Sequence, residues 1–293
     1  MAFAIRITML VLIAALALPD DALAWGVGAH LALAERITDA LTLAGPYRHA
    51  SIIASNPAAF LVGNIMPDIY AIRNWFFKPR QDVHGWDLAK KLIYSAITEE
   101  EMSLALGYAT HLSSDVICHN FLIPQFIFFQ ERGPKLAHFL AESRADGYIG
   151  RPELLGEVEE LLGAEGLRRF FLRCSGIGDR ELEANVSVLR KAIRLKRKTA
   201  IDSFAFRLDS NEDFIRKIEH HLDLSVNLSV KALADLPGSL PMEYCPEGER
   251  RIRLSSIRRR LSKKQLSSEE FRRGLSEGRF EYIHRVPPGL AGA

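Results

Sequence analysis

Apolar side chains return every three to four residues along nearly the whole chain, the spacing that lays one stripe along an α-helix. The first stripe covers 26–43 and ends at Gly45-Pro46; a second covers 47–55. Asn56-Pro57 opens a third, which stops before Pro67. Residues 71–86 read as a loop, followed by a helix from Asp87. Thr98 with Glu101 has capping-box spacing and starts a long helix to about Asn120. Pro134 suits the first turn of another helix through Ala145. Further stripes lie at 152–162, 165–173, 180–208 and 212–234, with Ser210 and Asp213 at capping-box spacing and two short helices after Arg250. No run alternates with period two for long enough to predict a strand. The expectation is an all-α, multi-helix bundle.

At 293 residues, 48% hydrophobic and 25% charged, the chain has the composition of a globular protein with a sizeable core. One stretch stands apart. Arg6, the apolar run 7–18 and Ala22-Leu23-Ala24 read as the three regions of a signal peptide. Twelve apolar residues are too few to span a bilayer, so residues 1–24 are expected to be removed on export to the periplasm or outside the cell. Cleavage after Ala24 leaves 37 basic against 34 acidic side chains, too mild a balance to indicate a nucleic-acid partner. Cys118, Cys174 and Cys245 allow at most one disulfide. Composition shifts near 147–152, which sets a domain over 25–148 apart from a helical extension over 149–293. From Arg250 that extension carries twelve Lys or Arg against four Glu. Such a tail is a solvated helical face or a point of peripheral contact with an anionic membrane.

The chemistry concentrates in the first of these regions. In Gly107-Tyr-Ala-Thr-His111-Leu-Ser-Ser-Asp115-Val-Ile-Cys-His119, a spacing of four puts His111, Asp115 and His119 along one helix face. His111 and Asp115 lie about 6 Å apart along the axis, near enough to share one ion, while His111 and His119 lie about 12 Å apart. Three ligands in that row therefore need at least two metals, with Asp115 between them. His138 and Glu142 repeat the spacing on the next helix. Mixed imidazole and carboxylate ligands suit zinc. Cys118 points about 100° round the helix from His119 and reads as a core thiol. His49, His220, His221 and His284 lack acids at chelating spacing. Phe121-Leu-Ile-Pro-Gln-Phe-Ile-Phe-Phe129 is either a buried link between ligand helices or an apolar lip that touches lipid. No His-Asp dipeptide, G-x-S-x-G elbow or P-loop is present.

Taken in order, these motifs resemble the zinc-dependent phospholipase C family, whose fold is shared with single-strand-specific zinc nucleases. Trp25-Gly-Val-Gly-Ala-His30 resembles the family's mature N-terminus, Gly63-Asn-Ile-Met-Pro-Asp68 its aspartate motif, and Val83-His84-Gly-Trp86 its next histidine. The resemblance covers roughly 25–146. It implies three zinc ions: one on Asp68, His84, His111 and Asp115; a second on His119, His138 and Glu142; a third on Trp25, His30 and Asp115. Trp25 would bind through its freed amine and carbonyl, so that signal cleavage completes the site. An α-amine of pKa about 7.7–8.0 loses its proton to a metal at neutral pH.

Three Zn²⁺ against Asp68, Asp115 and Glu142 leave +3, a charge suited to a phosphodiester and its growing oxyanion. The resemblance implies attack by zinc-bound hydroxide on phosphorus, Asp68 doubling as a base, with a phospholipid or other phosphodiester as substrate. Gly28 and Ile69 stand where choline-preferring relatives have an acidic and an aromatic residue, so choline specificity is not implied. A zinc nuclease or 3′-nucleotidase of the same fold and a metal-binding domain without turnover are the alternatives.

Overall fold

The computed structural model describes residues 25–43, 48–71, 84–124, 134–162, 164–199, 212–236 and 240–246. The expected signal peptide, the apolar residues 125–129, Ser210, His284 and the basic tail lie outside them. All regular elements among the described residues are helical. In chain order they are α1 (Val27–Leu43), α2 (Arg48–Ser55), α3 (Pro57–Gly63), α4 (Asp68–Ala71), α5 (Trp86–Ser95) and α6 (Glu99–Ile117). A π-helical turn (Cys118–Leu122) continues α6, followed by α7 (Pro134–Ile149), α8 (Pro152–Leu161), α9 (Glu165–Ser175), α10 (Asp179–Thr199), α11 (Glu212–Ala234) and a 3-10 turn (Leu240–Glu243).

Local chemistry explains where several of these begin and end. Pro57 occupies the first turn of α3, where a missing N–H costs nothing. At the start of α6 the Thr98 hydroxyl accepts the Glu101 N–H at 3.1 Å, and Glu101 accepts the N–H of Ile97 at 2.7 Å and of Thr98 at 3.4 Å. The capping box expected there is formed. Helix α9 stops at Gly176, whose φ of 67° lies in the left-handed region that other residues enter at a cost.

Helix α6 is the centre of the bundle. Every residue from Ser103 to Ile117 is buried, and α2, α3, α5, α9 and α11 all pack against it. The crossing with α3 is unusually close because both helices meet at glycines. A Cβ on Gly63 would run into the backbone at Leu104, and one on Gly107 into Phe60 O. Helix α11, from the second half of the chain, packs on α6 and α1, and α8 packs on α1 and α3. One core cluster joins Val62, Leu104, Tyr108 and Leu112 to Phe170, Leu182 and Leu228. Another joins Trp25, Leu33 and Ile37 to Leu106, Phe214 and Ile218. Both draw residues from before and after position 148.

Two expectations need correction. Of the loop expected over 71–86, residue 71 instead ends the helical turn Asp68–Ala71 and Trp86 already begins α5. The long helix is α-helical only to Ile117: the Ile123 N–H bonds to Cys118 O, five residues back, so the turn is one residue wider. The regular stripe extrapolated from His111 through Asp115 to His119 therefore breaks at Cys118. Phe121, Leu122 and Ile123 are buried, so this part of the apolar segment is a link inside the protein and not a lip.

Candidate metal centre

The close α3–α6 crossing sets the first ligand. It brings Asn64 O to 2.7 Å from His111 Nδ1. A carbonyl only accepts, so Nδ1 carries the proton and Nε2 is left with its lone pair facing away from α3. Thr110 braces the same corner, its hydroxyl 3.2 Å from Asn64 Oδ1 and 2.9 Å from Gly107 O. One turn on, Asp115 puts Oδ2 3.1 Å from His111 Nε2.

Three further elements converge on this pair. From α1, His30 stacks on His111 with ring centroids 3.8 Å apart and places Nε2 3.2 Å from Asp115 Oδ1. Just before α5, His84 Nε2 lies 2.9 Å from Asp115 Oδ2 and 3.1 Å from His111 Nε2. From α4, Asp68 Oδ1 lies 3.7 Å from His111 Nε2. The donor atoms of His30, His111 and Asp115 fall within 4.8 Å of one another, as do those of Asp68, His84 and His111. His111 belongs to both groups.

This crowd is nearly dry. His30, Asp68, His111 and Asp115 are fully buried. Both carboxylate oxygens of Asp68, both of Asp115 and both ring nitrogens of His30 make no hydrogen bond. Each such orphan costs about 1–3 kcal/mol, and more when charged. Several in one spot, with lone pairs turned to a common centre, fit divalent cations that would coordinate them. The charge balance agrees. Burial pushes the Asp68 pKa up to about 7, and the neighbouring Asp115 and Glu142 charges push the same way against His111 and His84. At Asp115 burial also pushes upward, but His111 and His30 outweigh it and hold the carboxyl well below its ordinary range. Burial lowers the His111 pKa, helped by His30. A carboxylate among imidazole nitrogens is a ligand set for zinc by donor type.

Residues 29–172 match the family model described as Zinc dependent phospholipase C. Over this stretch the chain belongs to the zinc-dependent phospholipase C family. That makes it a phosphoric diester hydrolase by family and makes zinc its metal. No curated protein and no solved structure matched in the corresponding comparisons.

The remaining expected ligands stand as follows. His119 is buried within the π turn, and Glu142 is buried on α7. Glu142 lies near enough for its charge to act on Asp68 and on Cys118. The side chain of His138 lies outside the described residues. Trp25 is fully buried, and the Gly26 carbonyl beside it accepts the His30 N–H at 3.0 Å. Cys118 is a fully buried thiol outside any disulfide; burial raises its pKa well above the ordinary value, with Asp115 and Glu142 adding to the shift. It stays protonated and suits the core; the buried Cys174 and the half-buried Cys245 are likewise outside any disulfide. His49 Nδ1 binds Leu233 O at 2.9 Å, and His221 is buried with Nδ1 2.7 Å from Lys217 O.

Pattern reading missed three contributors. Asn64 orients His111 through its backbone carbonyl, which any residue possesses, so no side-chain pattern marks it. Asp146 caps α1: its Oδ1 accepts the Ala29 N–H at 2.9 Å, and its carboxylate lies where a side chain on Gly26 would go. Gly28 likewise faces Gly150 Cα and Asp146. Glycines four and two residues before His30 were a signal of close approach. The third contributor is the backbone just after the 3-10 turn, where the Tyr244 and Cys245 carbonyls accept from Trp86 and Asn120 beside the centre.

Proposed function

We propose that this protein is exported, loses residues 1–24, and acts as a zinc phosphodiesterase that releases phosphorylated headgroups from phospholipids. The observation that carries the reading is the fully buried Asp115 surrounded by three imidazole nitrogens at 2.9–3.2 Å, among unsatisfied polar atoms. The reading assigns zinc to Asp68, His84, His111 and Asp115 and to Trp25, His30 and Asp115, with His119, His138 and Glu142 holding another ion. Bound zinc supplies positive charge for a phosphate ester and makes hydroxide available near neutral pH.

The chain's own residues prepare that chemistry. Asn64 holds His111 in the tautomer whose Nε2 can donate a lone pair. Burial of His30, Asp68 and Asp115 keeps bulk water from weakening the field on a phosphodiester. Asp68 is the assigned base: with both oxygens free of hydrogen bonds, it can orient an attacking water and take its proton. The removed residues 1–24 supply the reason for a Trp25 amine to exist.

The test uses mature protein with and without chelator, offered a chromogenic phosphocholine ester, a mixed phospholipid preparation and single-stranded DNA. Chelator-sensitive release of phosphorylated headgroup is expected. Cleavage of DNA alone would transfer the assignment to a nuclease, and no turnover of any substrate would leave only metal binding. Metal content per chain measured beside N-terminal mass is expected to give three zinc ions on a chain beginning at Trp25. A mature chain beginning elsewhere with all three ions would remove Trp25 from the ligand set.

A further inference from the structure

The family match ends at residue 172, yet the segment Leu240–Pro246 is fastened to the centre at two points. The Trp86 indole N–H donates to Tyr244 O at 2.8 Å. The Asn120 amide donates to Cys245 O at 3.0 Å and to Val116 O at 3.0 Å. Trp86 opens α5 two residues after His84, and Asn120 sits in the π turn directly after His119. The acceptors are adjacent carbonyls on one short strip of backbone. The strip is anchored independently: its 3-10 turn packs against α6 and α11, and Met242 and Tyr244 lie against the main core.

We propose that Tyr244–Cys245 is a backbone strap for the metal centre, and that Trp86 and Asn120 are positioning residues that hold the His84 and His119 segments in register through it. The physical need is plain at both ends. His84 is contributed by a residue just ahead of a helix, with no helix of its own to set its direction. The π turn widens the backbone, and a widened turn leaves a carbonyl that its regular partner no longer reaches. Asn120 satisfies Val116 O from the side and uses its second N–H on the strap, tying the irregular turn to a fixed point. Outer partners of this kind usually govern metal affinity by 10–100-fold when removed.

The proposal rests on the metal centre assigned above, and the test separates the two. Full-length mature protein is loaded with zinc, and its zinc affinity is measured by competition with a chromophoric chelator. Trp86→Phe keeps an aromatic ring and removes the indole N–H; Asn120→Leu keeps much of the volume and removes both donors without adding charge. Each variant is expected to bind its weakest-held zinc about tenfold less tightly, with a folded circular-dichroism spectrum. Unchanged zinc affinity in both folded variants would overturn the strap while leaving the centre intact. Wild-type protein that takes up no zinc would overturn both.

Hydrogen exchange on the unmodified protein gives a reading that no failed variant can block. Zinc is expected to slow exchange of the amides from Leu240 to Cys245 as well as those of α6. Slowing confined to α6, with 240–245 unaffected, would refute the coupling.

Discussion

Replacing Gly107 with alanine adds a single methyl group where α3 and α6 cross. An ideal Cβ there lies 3.1 Å from both Asn64 N and Gly63 Cα, and closer still to Phe60 O. Carbon and carbonyl oxygen need about 3.3 Å, so α3 must retreat by on the order of 1 Å. That retreat stretches the 2.7 Å bond from His111 Nδ1 to Asn64 O past the limit of a useful hydrogen bond. Overpacking costs about 1–3 kcal/mol, and an orphaned buried carbonyl adds about 1–3 kcal/mol. Alanine's better helix propensity returns about 1 kcal/mol. The net expectation is a loss of roughly 1–5 kcal/mol in urea unfolding of the zinc-free protein, with zinc bound about 10–100-fold more weakly. Gly166→Ala is the control. It lies in α9 with nothing within 4 Å of its Cβ direction, and should be neutral or stabilising by up to about 1 kcal/mol. A Gly107→Ala protein as stable as wild type with wild-type zinc affinity would refute the claim that this crossing orients His111.

Removing zinc with a chelator should destabilise the protein. Restoring zinc to a hundredfold excess over its Kd is worth about 2.7 kcal/mol for one site, readable as a Tm rise of roughly 5–10 °C. Asp115→Asn should abolish phosphodiesterase turnover and lower the zinc count in elemental analysis, since Asp115 faces His30, His84 and His111 together; full zinc content would count against it. His221, held by burial at a pKa of about 4, binds its proton less readily folded than unfolded. Its contribution is present above about pH 6.5 and is lost as pH falls towards 4, in total about 3 kcal/mol. His221→Gln should flatten that part of the stability–pH curve in denaturant titrations. Thr98→Ala should cost about 1 kcal/mol by deleting the α6 cap, with zinc affinity unchanged.

The helices were legible because their signals are local. A stripe of period 3.6, a proline in a first turn and a Thr-x-x-Glu cap all act within a few residues, and α1, α3 and α6 begin within a residue or so of where those signals stand. The break at Cys118 was not legible. A π turn differs from an α turn by one residue in its hydrogen bonding, and no residue type from Cys118 to Leu122 demands it. The ligand types were legible too, since His and Asp four apart on a helix have few purely structural uses in that density.

Residue order alone thus determined an all-helical chain, the chemical kind of its ligands and a first pairing of His111 with Asp115, because these depend on spacing along one helix. Only the tertiary structure decided which distant groups meet them. His30 and His84 reach Asp115 across 85 and 31 residues, and the glycines at 63 and 107 matter only where two helices touch. Asn64, Tyr244 and Cys245 contribute backbone carbonyls, which every residue carries alike. A contact made through the main chain leaves no mark on residue identity, so it becomes visible only once the chain is folded.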